Sequence, residues 1–374
     1  MRRWGEAVGW MVLPIMLLAG CQDDTDVDLE PERVPEIEEV MEGVSSEGVL
    51  ARIGTDGADD GPWFDFIRGA RVSRSGEVIA VLTQGPPHVS VFRNGELTVQ
   101  FLAQGDAPGE ARGPSSVAIS RDERQLAVVD PQTARLSVYS LEGELEGYVR
   151  LEERPPLAIE AGCDGGWFVI APDRRQPLPR EVAYLLPESL DGSLTPALVD
   201  STDLTHLIGL GGPAEILDVG DRMAVEYGGS AEPRIAEISC TGELLQKYAR
   251  PITATIERRR ARAEQTGASG LGQASTRIVL GREFAPAGFL YDGDWMVVGG
   301  LRIIHPGEGG RETEFLVHRR GELVRRVVVP GALQIWDRKP GVGVLVSTPE
   351  PFPQVFLIDD ETWWSWLLPA GESD

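Results

Sequence analysis

The chain has 374 residues, of which 42% are hydrophobic and 25% charged; that allows one large domain or two ordinary ones and is too apolar for wholesale disorder. Its 44 glycines and 27 prolines argue against a helical bundle, because both residues interrupt helices. A net charge of −24 would repel a phosphate backbone, which excludes a nucleic-acid partner; Lys stands only at 247 and 339, so Arg carries nearly all of the positive charge.

Arg2 and Arg3 precede an apolar stretch of 11 residues, Val8–Leu18. It is too short to span a bilayer as a helix and has the pattern of a secretory signal. The stretch runs into Leu18-Ala19-Gly20-Cys21, which resembles the lipobox of bacterial lipoproteins. That resemblance implies a signal peptide over 1–20 and acyl chains, palmitate among them, on Cys21. The protein would then be lipid-anchored in the bacterial cell envelope, facing the periplasm or the exterior. Several acyl chains make such attachment stable where one does not.

From Gln22 to Glu47, eleven acidic residues stand against the single Arg33. Such a run repels itself and stays extended, so 21–47 reads as an acidic tether. Ile37, Val40, Met41 and Val44 nevertheless follow i, i+3, i+4, i+7, one face of a helix, and a short docked helix after Pro35 is the alternative.

The remainder, 48–374, is organised by a repeat. Arg74–Phe92 aligns without a gap on Arg121–Tyr139, 47 residues further on. Each copy holds two alternating apolar runs split by a turn, which is strand-turn-strand. A Gly-x-Leu opening an apolar run recurs at Gly95, Gly143, Gly192, Gly242 and Gly321, with Asp360–Trp363 as a degenerate sixth. Asp-Gly turns feed strands at Asp164-Gly165 and Asp292-Gly293. Six units result: about 54–104, 105–153, 154–203, 204–252, 253–329 and 330–369.

Four short strands per unit of this length predict an all-β, six-bladed β-propeller with four-stranded blades. The fifth unit carries a short helical insertion, about 253–283. The second unit resembles the NHL-type repeat: Gly105–Glu110 and Pro114 match its entry, Val117-Ala118-Ile119 its innermost strand, Leu126–Asp130 its second and Arg135–Tyr139 its third. The family's Asn before that Arg is absent, since Thr133 and Ala134 stand there. The resemblance implies a fold and no reaction. In the last unit, Leu333–Trp336, Val342–Val346, Val355–Ile358 and Trp363–Leu367 read as four strands. Val49–Ile53 is then a spare apolar segment, expected to pack or pair at the outer edge of the sixth blade and close the ring. Deleting 22–53 should lower the melting temperature on this reading, and deleting 22–45 should not.

Motifs for chemistry are sparse. His88, His206, His305 and His318 lie outside any metal-ligand spacing, and there is no nucleophile elbow or P-loop. Trp167 and Trp295 read as packing between blades. Asp56, Asp59, Asp60 and Asp65 crowd the entry to the first unit as a solvated loop. Metal sites in lactonase-like propellers use carboxylates and Asn around the pore; the sole Asn94 sits in a hairpin turn, so half of that set is missing. No catalytic residue, metal or cofactor is assigned. Cys163 and Cys240 form either one bridge or two buried thiols. Thr255–Gln265 is helix-favouring and carries Arg258, Arg259, Arg260 and Arg262 in an acidic protein; it is either a solvated helix or an arm for an acidic partner. Loops of successive blades should bring Trp63, Arg112, Asp130, His206, Glu226 and His305 onto one axial face beside that arm. The expected function is a monomeric, membrane-anchored binding or scaffold module for an envelope protein or polysaccharide. A hydrolase of the lactonase type, working from the central pore, is the alternative.

Overall fold

The repeat folds as six antiparallel sheets set around one axis. The computed structural model describes residues 29–43, 45–54, 62–171, 180–200, 215–227, 234–249, 286–292, 294–305, 310–348 and 353–369. From the axis outward, blade one holds Ile67–Val72, Val78–Thr83, Val89–Arg93 and Glu96–Phe101. Blade two holds Ser116–Ile119, Gln125–Asp130, Arg135–Ser140 and Leu145–Arg150. Blade three holds Ala158–Ala161, Trp167–Ile170, Arg180–Leu186 and Thr195–Asp200; blade four holds Glu215–Asp218, Arg222–Tyr227, Arg234–Ser239 and Leu244–Ala249. Blade five holds Pro286–Asp292, Trp295–His305, Gly310–Arg319 and Glu322–Pro330; blade six begins with Gln334–Lys339, Gly343–Thr348 and Gln354–Asp359. The first strands of successive blades neighbour one another all the way round, with blade six meeting blade one. This is a six-bladed β-propeller.

The burial along each blade explains its sequence. Val78–Thr83 is buried at every position, because a middle strand is covered on both faces by adjacent blades, whereas Glu96–Phe101 at the rim is mostly exposed. Middle strands therefore read as continuous apolar runs and rim strands do not. Each seam has its own apolar filling. Val72 and Phe92 meet Leu345 and Leu357 between blades one and six, and Phe168 and Ile170 meet Val225 and Ile238 between blades three and four. Trp167 is buried in the seam of blades two and three. The hairpins before the rim strands turn through Gly95, Gly143, Gly192, Gly242 and Gly321, whose φ values lie between 81° and 88°, a region that glycine enters without a Cβ clash.

The ring is closed by the N-terminal segment. Strand β1 (Glu32–Arg33) adds in parallel to the outer strand of blade five, with Glu32 opposite Val327. Helix α1 (Pro35–Met41) follows, and its Ile37 and Val40, together with Val34, are buried against blades five and six. Strand β2 (Val49–Ile53) then pairs antiparallel with Gln354–Asp359, Ile53 opposite Val355, and becomes the fourth strand of blade six. The spare segment thus occupies the outer edge of the sixth blade. Of the acidic segment 21–47, residues 29–43 lie on blades five and six.

Trp363–Leu367 is not a strand. Asp360–Leu367 forms helix α2, capped by Asp359, whose side chain accepts from Thr362 N at 2.8 Å. Asp360 and Glu361 in its first turn suit the positive end of the helix dipole. Trp363, Trp364, Trp366 and Leu367 are all buried against blades five and six, and their spacing is helical rather than alternating. Residues 1–28, the insertion at 253–283 and its arginines, His206, Asp56, Asp59 and Asp60 lie outside the described residues.

Candidate functional site

The inner strands place seven charged side chains about the axis, close to the C-terminal ends of those strands and in the turns that follow. Arg71 Nε donates to Glu160 Oε2 at 3.0 Å, and its Nη1 reaches the carbonyls of Trp336 at 2.7 Å and Ala70 at 3.0 Å. Lys339 Nζ lies 3.4 Å from Glu160 Oε1 and 3.3 Å from Asp337 Oδ1. Asp337 Oδ2 accepts the backbone N–H of Val72 at 3.0 Å. Beside these four, Asp218 receives Arg74 Nη2 at 2.7 Å and Arg121 Nη2 at 3.0 Å. The side chains of Glu160 and Asp337 are 2% and 0% exposed, so these carboxylates are buried at the axis.

Blades one, two, three, four and six are tied across the axis by these contacts. In such a setting a carboxylate is tolerable only if paired and hydrogen-bonded. Burial pushes the Glu160 carboxyl up, against the opposing pull of Lys339 and Arg71. Burial works against the Lys339 ammonium, yet Asp337 and Glu160 together hold it above its ordinary value of 10.5. All three carboxylates already hold cationic partners. Among the described residues, no group of three His, Cys, Asp or Glu side chains is placed to hold a metal ion.

The face expected from sequence lies at the other end of the channel. Trp63 precedes the first strand of blade one and is 63% exposed. Asp130, Glu226 and His305 stand at the C-terminal ends of second strands, which run antiparallel to the first and so finish where those begin. Arg112 and Asp130 are brought together: the Arg112 N–H donates to Asp130 Oδ2 at 2.7 Å, while Asp130 Oδ1 accepts from Gln132 N at 2.9 Å and Thr133 N at 3.3 Å. Asp130 is buried and shapes its own turn, and the Arg112 guanidinium pairs with Asp106. Glu226 is buried in blade four. His305 is placed by its backbone pairing with Gly310. His206 and Arg258, Arg259, Arg260 and Arg262 lie outside the described residues.

Cys163 and Cys240 form a disulfide with a Cα–Cα distance of 5.1 Å. It joins the first turn of blade three to the last hairpin of blade four. His88 is buried with Nδ1 3.2 Å from the Thr83 carbonyl. At the equivalent position Arg135 donates to the carbonyls of Asp106, Ala107 and Glu110, holding the loop that enters blade two.

The axial cluster left traces in the sequence. Glu160 interrupts Ala158-Ile159 and Ala161, Lys339 is one of two lysines, and Arg74 and Arg121 open the two copies of the gapless repeat. Those two arginines converge on one carboxylate, Asp218.

The fold and its closed axis define a six-bladed propeller with a plugged channel. No family model matches the chain, and no curated protein matches it. Among solved structures it is similar to a member of the DUF4221 family from Bacteroides vulgatus, at 12% identity and a TM-score of 0.52, over 83% of this chain and 96% of that one. It is also similar to a protein from Bacteroides fragilis described as exported, at 10% identity and a TM-score of 0.50, over 83% of this chain and 94% of that one. At such identities the likeness is one of fold. Among the described residues, no helix is long and apolar enough to cross a membrane.

Proposed function

We propose that the chain is an extracytoplasmic, lipid-anchored binding propeller of NHL-type pattern. Its recognition surface is the face that carries Trp63 and Arg112, with the basic arm at 258–262 reaching for an acidic envelope protein or polysaccharide. The observation that carries this reading is the axial cluster. Glu160, Asp218 and Asp337 are each engaged by Arg or Lys, so the three axial carboxylates among the described residues are all paired rather than poised for acid–base work. Loops, which carry most binding function, are then the part able to vary. The exported description of the Bacteroides fragilis protein agrees with an extracytoplasmic place.

Deletion of 255–275 should leave the circular-dichroism spectrum intact and abolish capture of an acidic partner from envelope extracts, with wild-type capture weakening as salt rises. Capture that survives the deletion would count against the arm. Turnover of lactones or esters by the purified protein, lost in Glu160→Gln, would replace this reading with that of an enzyme. The anchor is tested separately: Cys21→Ser should move the protein from the detergent phase to the aqueous phase, and equal partitioning of a cleaved, unlipidated variant would remove it.

A further inference from the structure

The disulfide sits in an asymmetric setting. Arg121 Nη2 is 3.1 Å from Cys163 Sγ and 3.0 Å from Asp218 Oδ1, and Cys163 packs on the apolar seam of blades three and four. Cys240, half-buried like Cys163, has its Sγ 3.0 Å from the carbonyl oxygen of the exposed Asp221. A guanidinium stabilises a thiolate; a carbonyl oxygen opposes one and accepts from a thiol. The two sulfurs are therefore unequal once the bond opens.

We propose that Cys163–Cys240 is a thiol–disulfide exchange site for a dithiol, with Cys240 as the sulfur attacked and Cys163 as the leaving thiolate held by Arg121. The thiolate of the dithiol forms a bond to Cys240 Sγ, the Cys163–Cys240 bond breaks, and its electron pair goes to Cys163 Sγ. The second thiol of the reagent loses its proton to solvent, attacks its own mixed disulfide and releases Cys240 as a thiolate that takes up a proton. The protein gains two electrons and the dithiol becomes a disulfide. Exchange is faster when the leaving sulfur is the better thiolate, and Arg121 supplies that property. Other charges near the site are Asp164 and Asp221, both exposed to water, Arg222 paired with Glu237, and Arg74 beyond Asp218. Arg121 also binds Asp218, so the Cys163 thiolate competes with an axial carboxylate for one guanidinium, which links the redox state of the rim to the channel.

The test uses the full-length folded protein in a Cys21→Ser background, with dithiothreitol as the reductant and no denaturant. Wild type should be reduced readily at pH 7, and Arg121→Gln about tenfold more slowly. In the reduced state, Cys163 in Cys240→Ser should reach half its alkylation rate below about pH 7.5, and Cys240 in Cys163→Ser near pH 8.5. Arg121→Gln should move the Cys163 profile up, and Arg121→Lys should largely restore it. Reduction only under denaturing conditions, coincident profiles for the two thiols, or an unchanged rate in Arg121→Gln would overturn the proposal. If Arg121→Gln fails to fold, the single-cysteine profiles and Arg121→Lys decide it.

Discussion

Lys339→Met should destabilise the protein by about 3–5 kcal/mol, the cost of removing one partner from a buried ion pair. The substitution leaves buried Asp337 with the backbone N–H groups of Val72 and Arg338 but no cation, and Glu160 with Arg71 and the Ala161 N–H. Thermal unfolding should shift down by several degrees, and an unchanged midpoint would show that water reaches the cluster. Alkali should mimic the substitution. The native state holds the Lys339 proton above its ordinary 10.5. The stability it contributes is therefore complete below that value and is lost as pH rises through the higher native one. A wild-type midpoint that falls above pH 10.5, with Lys339→Met less affected, is the expected pattern.

Truncation of 22–45 should destabilise the propeller, against the expectation drawn from sequence, and truncation of 22–53 should do so further. The shorter deletion removes β1 and α1, and with them Val34, Ile37 and Val40, which are 3%, 0% and 1% exposed. Arg325 also loses Glu32, and Arg326 loses the Leu29 carbonyl. The longer deletion takes away the outer strand of blade six as well. Ile37→Ala alone should cost about 2–5 kcal/mol as a buried large-to-small change. Calorimetry of the three variants checks the order, and a 22–45 deletion that melts with wild type would return this segment to the role of a tether.

The blade pattern was legible because it is local. Gly-x-Leu marks and apolar runs are set by turn chemistry and by burial between neighbouring blades, and both act within one repeat. The helical periodicity of Ile37, Val40 and Met41 was legible for the same reason, although the acidic residues around it read as a tether. Helix α2 was misread because a repeat register was imposed on Asp360–Trp363, while the Asp359 cap and the helical spacing of the tryptophans pointed elsewhere. The axial cluster was invisible as a cluster. Arg71, Glu160, Asp218 and Lys339 are far apart in the chain, and ring closure alone brings them together. On the opposite face, Asp130 reads as exposed because it ends a strand, but its own turn folds back onto it through Gln132 and Thr133, and Glu226 is buried within its strand.

The first and last described segments are gathered at one place. Arg325 binds Glu32 of β1 and, through Nη1, the carbonyls of Trp366 and Leu368 at the end of α2. A pull applied at the N-terminus would meet β1, then α1, then β2 in series. Each is a separate small attachment, and the last alone closes the ring. Under tension the molecule would yield stepwise, peeling a few residues at a time from blade five before blade six gives way. The load would thus fall first on the edge of blade five, where β1 docks, and would reach the outer strand of blade six only afterwards.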